Sequence, residues 1–257
     1  VNDAPEISSI STQSGDEDTE ITILGLEVSD VDDIESSNEV MITISADNGK
    51  LSLFTISDLI FSSGDGTLNS EMTFSGIIPD VNAALNGFSF LGNPDYNGED
   101  IISVQIRDLG NTGIGDELQT ESTIQVQLDA INDPPVNETI SGYESPPLII
   151  VEGVLLTATS GHWNDNLDTD ISSSPSNITY EYEWQRASDE NGSELDSLFT
   201  TYIPEYTLTD IDSQKYLRIK VTATDDGVGQ PSQESTIAYS EYYYVDNLHL
   251  YNNLCRA

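Results

Sequence analysis

In IISVQIRD (101–108) Ile102, Val104 and Ile106 alternate with Ser103, Gln105 and Arg107. In STIQVQLD (122–129) Ile124, Val126 and Leu128 alternate with Thr123, Gln125 and Gln127. Successive side chains of a strand point to opposite faces, so a chain written with a period of two folds into sheets with one face buried. The same habit runs through EITILGLEV, VMITIS, KLSLF, EMTFSG and GFSFL, which makes about seven strands before residue 130, the number of a small β-sandwich. Helical spacing is confined to PDVNAALNG, where Pro79 lies in the first turn, Ala83, Ala84 and Leu85 lie inside and Gly87 is the stop; this predicts one short helix near 79–86. Between two of the strands, Asn48-Gly49 is the pair that tolerates the positive φ of a type I′ turn, and it predicts a hairpin.

After INDPP (131–135) the pattern restarts in LIIVEGVLLTATS, ITYEYEWQR, EYTLTD, KYLRIKVTATD and STIAYSEYYYV, separated by spacers rich in Asp, Asn, Gly, Ser and Pro. The reading is all-β: two tandem Greek-key β-sandwiches, the first over 1–133 and the second over 134–246. A tail at 247–257, NLHLYNNLCRA, loses the acidic habit of everything before it. The motif Asn-Asp-x-Pro occurs at Asn2 and again at Asn132, about one small domain apart.

Charge narrows the partners. Against 46 Asp and Glu stand 7 Lys and Arg, a formal charge of −39. Such a surface repels phosphate backbones and anionic lipid, so nucleic acid is excluded, and no apolar run approaches the length of a bilayer span. It also repels itself unless cations sit among the carboxylates. Hard cations take six to eight oxygens, so a subset of these acids is read as calcium ligands, the remainder as solvated surface. With one cysteine, Cys255, no disulfide framework forms within a copy. The chain opens on Val without a signal peptide and is expected to be a piece of a longer polypeptide.

The opening VNDAP, DEDT (16–19), GLEVSDVDD (25–33), DVNAALNGFSF (80–90), NPDYNGEDIISVQIRDLG (93–110) and the closing AINDPP together resemble the cadherin-like tandem repeats of large bacterial surface proteins and adhesins. The resemblance implies a seven-stranded sandwich, repeats in series, and calcium at or near the linkers. By it, Glu17 stands for the acid near the first strand, and Asp30 and Asp32 for an Asp-x-Asp pair. Asp129, Asn132 and Asp133 stand for linker ligands, with Ile131 where the family has an Asn. Asp108 is similar to the Asp-x-Gly loop ligand but lacks its Pro, and Asp225 of TATDDGVGQP is its counterpart in the second domain. An Asp-x-Asp spacing on a turn aims two carboxylates at one centre, and a linker acid lets one ion bind two domains.

The segments YEYEWQR and YTLTDIDSQKYLRIKVTATDDG resemble the Ig-like modules of the same proteins, with Trp184 as the core tryptophan and Asp212 and Tyr216 in the place of the tyrosine corner. The departure is that Tyr216 shares the parity of Arg218 and Lys220 rather than that of Leu217. Eleven of the 12 Tyr and both Trp follow residue 140. Tyr242, Tyr243 and Tyr244 cannot all face inward on one strand. Tyr242, Tyr244 and Trp163, which lies in a polar loop, therefore qualify as stacking positions for sugar rings.

No GxSxG, HExxH or phosphate loop occurs, and His162 and His249 are the only imidazoles. Pairs of acids have no specificity for glycoside hydrolysis in a chain with so many, and no enzyme is expected. The expectation is a monomeric, extracellular, calcium-stabilised spacer of a bacterial surface adhesin, its partners being neighbouring repeats of the parent chain. The alternative is a second domain that binds a cell-surface glycan.

Overall fold

The computed structural model describes residues 1–33, 37–110, 114–139, 153–165 and 177–246. The chain divides into two compact units, Val1–Ile131 and a second that begins at Asn132. Asn132 and Asp133 thus belong with the second unit. The expected strand residues 148–152, the acidic loop beyond Asp165 and the tail at 247–257 lie outside the described residues.

The first unit runs β1 (Glu6–Ile7), β2 (Gln13–Asp16), β3 (Ile21–Ile23), β4 (Val28–Ser29), β5 (Glu39–Ala46), β6 (Gly49–Ser52), β7 (Ile60–Ser63), β8 (Glu71–Ile77), α1 (Ile78–Leu85), β9 (Phe88–Gly92), β10 (Gly98–Arg107) and β11 (Gln119–Asp129). Six strands form a sheet in the order β2-β11-β10-β5-β8-β7, and β3-β9-β6 form a second. Only β2 runs parallel to its neighbour in these sheets. Period-two alternation buries Ile102, Val104 and Ile106 of β10 and Ile124, Val126 and Leu128 of β11 in one cluster with Ile23, Leu51, Phe88 and Phe90 of the smaller sheet. Each such side chain contributes about 1.5–3 kcal/mol by leaving water. Strand segments outnumber the seven expected because short pieces such as β1 and β4 pair for two residues only.

Helix α1 begins one residue before the expected range and carries Pro79 in its first turn, with Ile78, Val81, Ala84 and Leu85 buried. Gly87 follows at φ +94°, a conformation that favours glycine. Asn48-Gly49, however, makes no hairpin. Strand β5 pairs with β10 and β8, whereas β6 pairs with β9, so the turn carries the chain from one sheet to the other. The Asn48 amide donates to the Asp100 carboxylate at 3.1–3.2 Å, its Nδ2 to Tyr96 Oη at 3.2 Å. Neither residue has positive φ. Glycine is needed at 49 because a Cβ would overlap the Phe90 ring.

The second unit contains β12 (Val136–Thr139), β13 (Leu155–Thr157), β14 (His162–Asn164), β15 (Thr179–Ala187), β16 (Asp196–Thr201), β17 (Glu205–Thr207), a 3-10 turn (Asp210–Asp212), β18 (Tyr216–Thr224), β19 (Ser235–Tyr239) and β20 (Tyr243–Tyr244). Its main sheet has the order β16-β15-β18-β19, with β20 also on β18. Leu217, Ile219 and Val221 pack on Trp184, which is fully buried with its ring 5.4 Å from that of Tyr206. The tyrosine that meets Asp212 is Tyr206, donating at 2.6 Å, while Tyr216 lies on the other face beside Tyr244. Asp212 also takes the Thr209 amide at 2.9 Å and Arg186 Nη1 at 2.9 Å. Burial, and then the Asp212 carboxylate, push the Tyr206 phenol well above its ordinary range. Both units are therefore β-sandwiches, all-β apart from one α-helix among the described residues.

Candidate functional site

The repeated Asn-Asp-x-Pro acquires a structural meaning at the end of one central strand in each unit. Asp108 follows the last residue of β10. Its Oδ1 accepts the amides of Gly110 (2.8 Å) and Leu118 (2.9 Å), and its own amide donates to Leu118 O (3.2 Å). Asp225 follows the last residue of β18 and does the same with Gly227 (3.3 Å), Glu234 (2.9 Å) and Glu234 O (3.2 Å). The Asn of each echo closes on the Asp of its own unit: Asn2 Nδ2 donates to Asp108 Oδ2 at 2.7 Å, and Asn132 Nδ2 to Asp225 Oδ1 at 3.1 Å. All four residues are less than a tenth exposed. A buried carboxylate that tethers a loop and the segment opening the domain explains why the motif recurs at domain spacing.

The two latches differ in one atom. Asp108 has both oxygens engaged; burial pushes its carboxyl up, but the bonds from Gly110, Leu118 and Asn2 outweigh that and hold it below the ordinary range. In the second unit Asn132 shares Oδ1 with the loop amides. Asp225 Oδ2 and Asn132 Oδ1 are left buried with no hydrogen-bond partner among the described residues. Gly227 packs so closely that a Cβ would coincide with the Asn132 side-chain oxygen.

A second group lies in the first unit. Asp30 Oδ1 accepts the Asp32 amide at 2.8 Å, and Asp32 Oδ2 accepts the Asp3 amide at 2.6 Å, so the Asp-x-Asp pair is tied to the N-terminal segment. Asp30 is buried and Asp32 half-buried. Asp33, not singled out by spacing, is also buried; its Oδ1 accepts from Ser37 and Asn38, while Oδ2 has no hydrogen-bond partner among the described residues. Its signal in the sequence is the Ser-Asn four and five residues on, the spacing of a loop closed on a carboxylate.

A buried carboxylate or amide oxygen without a donor costs about 1–3 kcal/mol, and more if charged. A cation removes that cost, and the donors here are all oxygen, the set that suits calcium rather than zinc. Asp33 Oδ2, and Asp225 Oδ2 with Asn132 Oδ1, are oxygens that such an ion would satisfy; Asp108, already accepting three N–H groups, fits it least. Glu17 is buried and accepts the Ile131 amide at 2.8 Å and Asn97 Nδ2 at 3.4 Å. Asp129 is exposed and offers its carbonyl to the Glu17 amide at 2.9 Å, and Asp133 is half-buried.

Of the expected stacking residues, Trp163 donates its indole N–H to Ser160 O at 2.6 Å and packs on the core beside Tyr180 at 6.3 Å. Tyr243 also packs on that core, while Tyr242 lies over Arg218 with its ring centroid 4.9 Å from the guanidinium and Tyr244 lies beside Tyr216.

No protein-family model matches the sequence, and no curated protein matches it. The solved structures to which this chain is similar include cadherin ectodomain repeats. Human CDH23 EC21-23 shares 13% identity over 96% of this chain and 70% of that chain, with a TM-score of 0.32. Mouse cadherin-23 EC22-24 shares 16% over 95% and 65%, TM-score 0.31. Human protocadherin-24 EC1-2 shares 13% over 96% and 98%, TM-score 0.35.

Proposed function

We propose that these are two calcium-stabilised spacer domains of a bacterial surface adhesin, extracellular, monomeric and without catalysis, whose partners are the neighbouring repeats of the parent chain. The observation that supports this reading is the latch made twice by the same motif, together with buried oxygens, at the second latch and at Asp33 of the first unit, that have no hydrogen-bond partner among the described residues. A repeated module whose opening segment is pinned to its own central strand suits a chain that carries length rather than chemistry. The ion's role is to neutralise carboxylates that otherwise repel one another. Asp30 and Asp33 hold it in the first unit, Asn132 and Asp225 in the second.

Thermal unfolding with millimolar calcium, with excess chelator and with magnesium tests this. An ion binding only the folded state at a hundred times its Kd adds about 2.7 kcal/mol, which raises Tm by roughly 5–20 °C for domains of this size. Asp225→Asn, which keeps the shape and removes the charge, should abolish the calcium shift of the second unit alone; Asp33→Asn should do so for the first. Identical curves with and without calcium would overturn the reading.

A further inference from the structure

The second unit carries an arginine that meets aromatic rings rather than a carboxylate. Among 46 acids, Arg107 and Arg186 bind carboxylates, as does Lys220, paired with Glu183 at 2.9 Å. Arg218 does not. Its Nε donates to Gln185 Oε1 at 2.7 Å, and its terminal amines have no acceptor among the described residues. Its guanidinium carbon instead lies 4.5 Å from the Tyr239 ring centroid and 4.9 Å from that of Tyr242.

The backbone builds this arrangement. Strand β19 pairs with β18 along Lys220–Thr224, and β20 pairs with it again at Tyr216–Leu217. Opposite Ile219 the ladder is bridged by Ser240, whose backbone N–H donates to Ile219 O at 2.9 Å while its Oγ accepts the Ile219 amide at 3.0 Å. The chain bulges there, and Tyr242 is carried over Arg218. Tyr216 and Tyr244, with centroids 5.2 Å apart, continue the aromatic strip, and Tyr239 and Tyr244 are exposed.

We propose that this face binds a sugar bearing a carboxylate. Arg218 is its anion clamp, and the tyrosines are the surface on which the ring stacks. A guanidinium lying against two rings and held by Gln185 is already oriented, and its terminal amines are the two donors that match a carboxylate. One unpaired cation compensates one negative charge; the chain's −39 repels a polyanion, which favours a single acidic sugar over a phosphate backbone. Tyrosine faces stack on sugar C–H faces, which a simple anion does not use. The inference goes beyond the spacer role and needs no calcium.

The test titrates the full chain with methyl glucuronide, methyl glucoside and acetate, in parallel calcium and chelator buffers, following tyrosine and Arg218 side-chain NMR signals. Methyl glucuronide should bind at least tenfold more tightly than either other probe in both buffers. Arg218→Lys, which keeps the charge and loses the fork, should weaken it about tenfold; Tyr242→Ala should weaken it while leaving the unfolding temperature of the calcium-loaded protein within a few degrees. Binding of acetate as tight as that of the glucuronide, equal binding of the glucoside, or no binding of any of the three overturns the proposal.

Discussion

Gly49 and Gly227 are held to glycine by space, since neither has a positive φ. At Gly49 the obstacles are Leu91 O and the Phe90 ring, the latter fully buried in a close-packed interior. Gly49→Ala should cost about 1–3 kcal/mol as an overpacked site, seen as a lower unfolding midpoint in urea with unchanged slope. At Gly227 the obstacle is the Asn132 side chain, so Gly227→Ala should break the latch of the second unit and, with it, that unit's calcium response. Gly25→Ala is the contrast: φ is +83° but a Cβ meets nothing within 4 Å, so only backbone strain is added. None of this was legible in the sequence, because Asn48-Gly49 reads as a hairpin wherever its neighbours are unknown. The echo of Asn2 and Asn132 was legible as a repeat, but not as a donor to an Asp 106 and 93 residues away. Asp33 was not legible because the Asp-x-Asp spacing marks Asp30 and Asp32, whereas the burial that sets Asp33 beside Asp30 depends on the fold.

Strands β10, β11 and β18 were legible because one face of each carries three or more buried side chains in alternation, which fixes them. Helix α1 was legible from Pro79, its alanines and Gly87. Strands of two residues leave no periodicity to read, and Tyr216 sat in the sequence position of a corner that Tyr206 fills. The outer face of β15 and β18 gives a pH prediction. Hydrogen bonding from Lys220, then from Ser197 and Gln185, lowers Glu183 from 4.5 to about 2. A depressed carboxyl stabilises the fold above its unfolded pKa, and that contribution is lost as pH falls from 4.5 through 2. The second unit of the wild type should therefore melt earlier at pH 2.5 than at pH 5 by more than Glu183→Gln does. At pH 7 the variant should unfold at lower temperature, and the gap should close in acid. A gap independent of pH would mean that the ion pair with Lys220 adds nothing to the ladder.

Each unit has its own buried hydrophobic cluster, and that of the first is made of residues within 1–131. A fragment ending at Ile131 should fold, with its unfolding temperature within a few degrees of the corresponding transition in the whole chain. For the whole molecule, the charge of −39 is the largest destabilising feature of the composition. Charges of one sign favour the expanded chain, and salt shortens their reach from about 30 Å at 0.01 M to about 8 Å at 0.15 M. In chelator, raising sodium chloride over that range should therefore raise both unfolding temperatures. With calcium bound, part of the repulsion is already neutralised at Asp33 and Asp225, and the same salt step should raise them less. The interaction between salt and calcium separates two origins of stability that either titration alone confounds. If the salt response is the same with and without calcium, divalent binding is diffuse rather than seated on the buried oxygens. If it shrinks in calcium for the wild type and recovers in Asp33→Asn and Asp225→Asn together, the buried oxygens are where the cation sits.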